Sequence, residues 1–449
     1  MFRRILALLV IASVGALSVV YVNFPDLRIG ETAEPLTVDV SAKQPELICP
    51  GPVLVNGGAS GVTLGKFTPS GSAAIQSYDG GQASALVATA MQSILGKTSG
   101  SRNFNAIQSQ SANLSQAFGL SAANCEAGSN EAWLVAGDNS IGREALLVLA
   151  NPGKVDATVS LDIIGPSGLV EGTGLSGISV PAKQSTSLPI ASFAPRTATF
   201  AIKISVRGSL LGIWLQQKTV RGLTPGGLDL VGQLGEPAKV VDIPGFYLRN
   251  SAKLESLAAS DENLADLRPM LRVVAPGDKP ANFIAQVQGA DGTNFGTVIQ
   301  GTVPAGTTKD FELTDLSDGN YSIHLESDEP ILAAARFSRV SGSNQDFAWA
   351  VAVSPTKLKA GFSTVGNAIS KLSIVNSNDK PAKVQISGQT YSIPANSNSS
   401  ITLSGGRAYS ISSDIEVSVS QVIDISGGVA VVPVLDYASV GGKLKVSVR

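Results

Sequence analysis

Charge is scarce in this chain of 449 residues: Asp, Glu, Lys and Arg together make up 15%, against roughly 25% in ordinary soluble chains. The 33 basic and 35 acidic residues nearly cancel, leaving a formal charge of −2. No basic field exists to recruit nucleic acid. Histidine occurs once, as His324, which excludes a His-rich zinc site and leaves a Ser-His-Asp triad one candidate base. No Gly-x-Ser-x-Gly elbow is present. Aromatic residues stand at 5%, and Trp133, Trp214 and Trp349 are far apart in the chain. A sugar-stacking platform needs several together, so all three are expected in the core. His324, between Ile323 and Leu325, is expected at an outward position with no partner in its strand.

What the chain has instead is a leader. Arg3 and Arg4 precede Ile5 to Phe24, a run without charge of about 20 residues, the length that spans a bilayer. Acidic residues (Asp26, Glu31, Glu34, Asp39) dominate the stretch after Phe24, so the positive-inside rule keeps the N-terminus cytoplasmic and sends the rest outside. A cleaved signal peptide starts similarly. Its shorter apolar region and small-residue cleavage site fit poorly here, because the run continues through Val19, Val20, Tyr21 and Val22. An uncleaved anchor over 1–24 is the expectation, followed by a spacer over 25–46. Neither of the two cysteines directly follows the run, which argues against a lipoprotein. Cys49 and Cys125 lack CxxC spacing or a nearby histidine, and outside the cytoplasm they are expected to pair as a structural disulfide.

Internal repetition dominates the remainder. Leu146 to Asn151-Pro152-Gly153, then Ala157 to Gly165-Pro166-Ser167-Gly168, recurs as Leu271 to Pro276-Gly277, then Ala281 to Gly289 and Gly292. Asp278-Lys279-Pro280-Ala281 returns as Asp379-Lys380-Pro381-Ala382. Val180-Pro181-Ala182, Val303-Pro304-Ala305 and Ile393-Pro394-Ala395 correspond, as do Tyr321-Ser322-Ile323 and Tyr409-Ser410-Ile411. Within each copy the apolar period is two, as in Val159, Leu161 and Ile163, the mark of strands with one buried face. Turn signals such as Pro152-Gly153, Asp291-Gly292, Asp318-Gly319 and Gly405-Gly406 separate the strands. Copies of about 100 residues exceed a propeller blade of about 45 and suit immunoglobulin-like sandwiches. The expected fold is therefore mainly β: an N-terminal transmembrane helix followed by tandem sandwiches over 131–245, 246–357 and 358–449. Residues 47–130 read as a smaller β-rich unit carrying the Cys49–Cys125 disulfide, with a short helix in Gln82 to Leu95.

Three patterns invite a catalytic reading. Gly172 to Gly177 matches Gly-x-Gly-x-x-Gly, but Ile178-Ser179-Val180-Pro181 follows rather than a helix start, which predicts a turn. Gly96-Lys97-Thr98 mimics the end of a phosphate loop, yet Met91 stands where its first glycine belongs. Asp310, Glu312, Asp315, Asp318, Glu326, Asp328 and Glu329 gather acid that would serve a cation or a glycoside-cleaving pair. Their spacing matches no EF-hand loop, and a charged sheet edge explains them as well. No catalytic, cofactor or metal residue is assigned.

Trp133-Leu134-Val135-Ala136-Gly137, Gly142-Arg143, Asn151-Pro152-Gly153, Leu223 to Asp229 and Asp346-Phe347-Ala348-Trp349, together with Cys49-Pro50-Gly51-Pro52, occur in an order that resembles an actinobacterial family of membrane-anchored or secreted proteins known only as a domain of unknown function. Leu230 departs from the pattern, where relatives are expected to carry tryptophan. The resemblance spans nearly the whole chain and implies a cell-envelope location without supplying catalytic residues. The expectation is a non-enzymatic scaffold or binding protein, its partner an envelope protein or cell-wall polysaccharide, with no nucleic acid and no small-molecule cofactor. An adhesive carbohydrate-binding module and, less favoured, a wall-polymer hydrolase are the alternatives.

Overall fold

The structure is a computed structural model that describes residues 36–40, 46–56, 67–79, 82–88, 93–95, 105–114, 116–290, 296–436 and 442–446. The expected anchor over 1–24, the Gly96-Lys97-Thr98 segment and the Asp291-Gly292 turn lie outside them. Among the described residues no helix is long and apolar enough to cross a membrane. Leu36–Val40 pairs antiparallel with Gly442–Val446 in a unit of its own. Part of the expected spacer is therefore a strand. Residues 44–438 form a second unit.

That second unit is mainly β and repeats one plan. In the first copy an outer sheet holds Glu131–Leu134, Ala201–Arg207 and Ala157–Gly165, and an inner sheet runs Ser185–Pro189, Arg143–Ala150, Gly212–Arg221, Thr224–Gly232. The outer strands alternate as the sequence predicts: Ala157, Val159, Leu161 and Ile163 are buried while Thr158, Ser160 and Asp162 are exposed. In the second copy one long strand, Gly319–Ser341, serves both sheets. Its first half pairs with Ala238–Leu248 and Ala281–Gly289, its second with Met270–Ala275 and Asn344–Val351. Ala238–Leu248 thus crosses the 245/246 boundary and belongs wholly with the second copy. The third copy pairs Lys359–Ser363, Ala408–Ser413, Ala382–Ile386 and Gln389–Ile393 outside, with Ser397–Leu403, Ile369–Asn376, Ser418–Ile425 and Gly428–Pro433 inside.

Turn geometry supports the repeat alignment. Lys183, Gly306 and Asn396, each directly after the Val/Ile-Pro-Ala triplet, all take positive φ, at 60°, 64° and 48°. Asn151 and Asn376 donate through their side-chain amides to Val180 and Ile393 carbonyls, the first residues of those triplets. The same side chain closes the same turn in the two copies.

Residues 47–130 supply a fourth inner sheet, ordered Gln82–Ala88, Ala73–Asp79, Asn105–Leu114, Ala117–Asn124. The expected helix in Gln82 to Leu95 is corrected: Gln82–Ala88 pairs along Ala73–Asp79, and Ser93–Leu95 pairs with Glu46–Ile48. The apolar spacing of Leu86, Val87 and Ala90 suits either period, and strand pairing decides it.

The four inner sheets each end in one strand, and those last strands close a ring. Ala117–Asn124 packs on Thr224–Gly232, which packs on Asn344–Val351, then Gly428–Pro433, then Ala117–Asn124 again. Each outer sheet fills the wedge between its own inner sheet and the next. The first core accordingly includes Val274, Leu332, Phe347 and Trp349 of the second copy, and the second includes Val422, Val429 and Val431 of the third. Inner strands are covered on both faces, so Gly212–Arg221 is buried from Gly212 through Thr219. Repeat length argues against blades, yet blade-like packing arises because only the inner half of each copy faces the ring.

Cys49 and Cys125 form a disulfide with Cα atoms 4.2 Å apart. Both are fully buried with Leu47, Ala73, Ile75 and Ala106.

Candidate functional site

Comparing the copies isolates what is not repeated. The connection between the first outer and second inner strands covers 135–142 in the first copy and 364–368 in the third. In the second copy it covers 249–269, which folds as a helix, Ser251–Ser260, and a 3-10 turn, Glu262–Leu267. Leu254, Leu257 and Ala258 share one face of the helix, and Leu254, Ala258, Leu267 and Val340 pack together. At the helix start Asn250 sits at φ 58° with no side-chain cap of its own. Asp318 replaces it, accepting from the Asn250 and Ser251 amides at 2.8 Å each and from Ser251 Oγ at 2.7 Å.

Three arginines hold the far end of the insertion. Asp266 meets Arg143 Nη2 at 3.0 Å and Arg221 Nη2 at 2.6 Å from the first copy, and Arg336 Nη2 at 3.3 Å from the second. Burial alone would raise the Asp266 carboxyl, but Arg336, Arg221 and Arg143 outweigh it and hold its pKa below the usual value. Arg143 and Arg221 also donate to the Asn263 carbonyl. The insertion is therefore pinned across the seam between two copies.

Beneath the helix opens a groove of about 880 Å³. Leu248, Leu254, Leu267, Leu313 and Leu316 line it, and all five are buried. Glu255 and Arg268, paired through two contacts of 2.8 and 2.9 Å, stand at one side with Glu312 and Asp315 beside them. An apolar floor with a few polar groups at its rim is the usual character of a binding site.

The structure distributes the acidic residues that the sequence places close together. Asp310 faces the fully buried Arg272, Nε to Oδ1 at 2.8 Å and Nη2 to Oδ2 at 2.9 Å. Glu312 and Asp315 border the groove, and Asp318 caps the helix. Asp328 accepts from the Asn282 amide and side chain, and Glu329 meets Lys279 at 3.3 Å. Among the described residues no three His, Cys, Asp or Glu side chains are grouped to hold a metal. The Gly172 to Gly177 segment is a turn leading into strand Ile178–Val180, as its context predicts.

His324 differs from expectation. Its side chain is 17% exposed, with Nδ1 2.7 Å from buried Asp242 and Nε2 3.4 Å from Glu326. The hydrogen bond to Asp242 raises the imidazole pKa against the opposing effect of burial. Asp242 also accepts from Ser377 Oγ at 3.1 Å and Ser418 Oγ at 2.9 Å. Both serines sit on the carboxylate rather than on imidazole Nε2, so the arrangement joins the second copy to the third instead of activating a nucleophile. The three tryptophans are core residues, as expected.

Motif residues tie the ring together. Asp229 accepts from the Trp349 amide at 2.7 Å and from Leu230 at 2.9 Å, and Trp349 Nε1 donates to Gln217 at 2.7 Å. Arg272 lies 4.8 Å over the Trp349 ring and donates to the Gly137 carbonyl at 2.7 Å. Burial pushes the Asp229 pKa up to about 7, with the Trp349 and Leu230 amides opposing it. A carboxyl raised on folding adds stability below the unfolded carboxylate range and loses it as pH climbs through its folded pKa. Stability is therefore expected to decline between about pH 4 and 7. Asp229→Asn should remove up to roughly 4 kcal/mol of that decline, read from urea unfolding at both ends of the window. An unchanged slope in the variant would reassign the effect to other groups.

The fold defines a class: a mainly β protein of repeated two-sheet units whose inner sheets close a ring, with a helical insertion beside an apolar groove. The chain belongs to the family of unknown function DUF5719, whose profile matches residues 75–414. No curated protein matches it. Two solved structures show slight likeness. Thermotoga maritima 1070 is 16% identical, covering 26% of this chain and 94% of its own, with a TM-score of 0.22. An anti-sigma factor domain-containing protein from Clostridium clariflavum is 9% identical, covering 82% and 98%, with a TM-score of 0.13. Neither likeness is close enough to carry an argument about fold or function.

Proposed function

We propose that this chain is a non-enzymatic binding protein of the bacterial cell envelope, anchored by residues 1–24 with its immunoglobulin-like β-sandwich units outside the membrane. The groove beside Ser251–Ser260 holds a segment of an envelope protein. The observation that carries this reading is the insertion itself: among the described residues it interrupts the repeat in the second copy alone, is pinned by Asp318 and Asp266, and covers an apolar floor of leucines. Glu255 is already paired with Arg268, so Glu312 and Asp315 leave the rim acidic. A segment with apolar anchors flanked by lysine or arginine complements it. Protein is favoured over polysaccharide because all three tryptophans are buried and form no stacking surface.

The test places a photo-crosslinking residue at Asp315 in the full-length protein in its native cells. The expected result is a discrete protein adduct, lost on charge reversal by the exposed Glu312→Lys while the melting temperature stays within about 2 °C. Binding of the purified protein to cell-wall polysaccharide, with no protein adduct, would replace this reading with the carbohydrate-binding one. Proximity labelling from the C-terminus that enriches only cytosolic proteins would overturn the topology.

A further inference from the structure

The outer sheet of the second copy ends in an unguarded edge. Its last strand, Thr297–Val303, pairs in unbroken register with Ala281–Gly289 and, among the described residues, with no strand on its other side. The seven residues hold no charge and no proline, and the ladder has no bulge. Charge, proline, bulges and shortness are the devices that normally keep a strand edge from pairing with another chain. The corresponding edges of the other copies are shorter. In the first copy Gly168–Leu169 and Ile178–Val180 divide the position between them, and in the third it is Gln389–Ile393.

The side chains along this edge are incompletely covered as well. Val298, Gln300 and Thr302 point outward; Val298 is 61% exposed, and Ile284 on the neighbouring strand is 42% exposed. Ile299 and Gly301 point inward, toward Phe283 and Phe311, whose rings meet edge to face with centroids 5.0 Å apart. A Cβ on Gly301 would lie 2.7 Å from the Phe311 ring and 2.9 Å from that of Phe283, so position 301 stays bare. Ile299 and Phe311 remain only half-buried. Lys309, on the facing sheet, stands 5.0 Å over Phe311 and leaves the strand itself neutral.

We propose that Thr297–Val303 pairs antiparallel with the same strand of a second molecule of this chain, about a two-fold axis at Gln300, so that one continuous sheet runs through a homodimer. That register sets Ile299 against Gly301 of the other molecule, Val298 against Thr302 and Thr297 against Val303, with the two Gln300 amides facing each other. Each isoleucine then lies beside the position that the phenylalanines keep bare, and covers the half-buried Phe311. β-branched side chains are good cross-strand partners, and no like charges meet. A two-fold contact makes every such pair twice. The match of large to small about the strand's own centre is what favours self-pairing over addition of an unrelated strand. The contact uses none of the residues that line the leucine groove and does not depend on what that groove holds.

The experiment is disulfide trapping on the full-length protein in neutral detergent. Cys49 and Cys125 are joined to each other, so an added cysteine reports alone. Facing Cα atoms of an antiparallel pair lie about 4.5–5.5 Å apart, within disulfide reach. Under mild oxidation Gln300→Cys is expected to give a covalent dimer roughly tenfold faster than Ser392→Cys, an exposed position on the third copy's edge. In the Gln300→Cys background, Val298→Lys with Thr302→Lys sets like charges opposite each other and should slow trapping about tenfold. Val298→Lys with Thr302→Glu sets opposite charges there and should preserve it. Both positions are exposed, so the melting temperature is expected to stay within about 2 °C of wild type. Equal trapping at 300 and 392, equal trapping in the two charge variants, or a Gln300→Cys protein that stays monomeric would overturn the proposal. If that variant couples to a different protein in cells yet remains monomeric when pure, the edge takes another chain's strand and self-pairing is wrong.

Discussion

Replacing Asp346 with alanine is expected to cost about 4 kcal/mol of stability, a large share of the 5–15 kcal/mol typical of a folded domain. The residue is buried at the ring of last strands. Its Oδ1 accepts from the Leu228 amide at 3.0 Å, and its Oδ2 from the Leu120 and Val429 amides at 2.9 Å each. The carboxylate itself lies on the second copy, and its donors come from the first copy, the third copy and residues 47–130. One side chain therefore touches the last strand of every inner sheet. Burial raises its pKa well above the usual value, and the four amide hydrogen bonds, Phe347 included, pull against that rise. Removing the carboxylate relieves the desolvation but strands buried N–H groups, each worth about 1–3 kcal/mol when left unmade.

A repeated local pattern makes this hub possible. Each donor follows a glycine: Gly119-Leu120, Gly227-Leu228 and Gly428-Val429. Gly119 has φ 128°, and a Cβ there would lie 2.1 Å from Asp346 Oδ1. Gly119→Ala is therefore expected to destabilise by a comparable amount through steric exclusion rather than a lost acceptor. Asp346→Asn should fall between wild type and alanine, because its amide keeps one acceptor and presents a donor to donors. Urea unfolding of the three variants decides the matter. An alanine variant within 1 kcal/mol of wild type would show that the four sheets hold together without this contact.

The same geometry decides which strands announce themselves in the sequence. Outer strands display their period because water covers one face, which is why Val159, Leu161 and Ile163 reveal a buried side unaided. Inner strands are covered twice, so Gln216, Gln217, Lys218 and Thr219 are all buried although their residue types suggest a solvated strand. Asp229, Arg272 and Asp346 look like surface charges in sequence for the same reason. Each has partners in another copy, 120 positions apart for Asp229 and Trp349 and 135 for Arg272 and Gly137, and no local pattern encodes them.

The candidate groove is illegible in the sequence for a different reason. Ser251 to Ser260 contains no β-branched residue and pairs Leu254 with Ala258 at helical spacing. That signal is present but is obscured by the β-character of its surroundings. The repeat alignment holds the better clue. The offsets between copies differ, and the longer one marks inserted chain. The motif order that ties the chain to its family is legible, and the structure gives it a physical meaning. Gly137, Asp229, Asp346 and Trp349 join copies to one another.

Reducing or deleting the Cys49–Cys125 bridge should have the other large effect. The closed loop spans 76 positions, for which chain entropy alone gives an upper value of about 4.5 kcal/mol, and measured losses of native bridges run about 2–5 kcal/mol. This bridge has a particular burden. Residues 47–130 contribute one of four inner sheets, and among the described residues their second layer is Glu46–Ile48, paired with Glu126–Ala127 through two residue pairs and with Ser93–Leu95 through three. The cystine, Leu47, Ile48 and Trp214 pack beneath it. Covalent closure reinforces this short-stranded layer, as it does in small domains generally. Cys49→Ala with Cys125→Ala is thus expected to lower stability by about 3–4 kcal/mol and to expose Ala117–Asn124 before the other ring strands. Hydrogen exchange would register that order as early loss of protection at Leu120 to Asn124, with Leu230 and Val351 protected longer. Uniform loss at all four strands would mean that the bridge stabilises the ring as a whole and that residues 47–130 have no separate weakness.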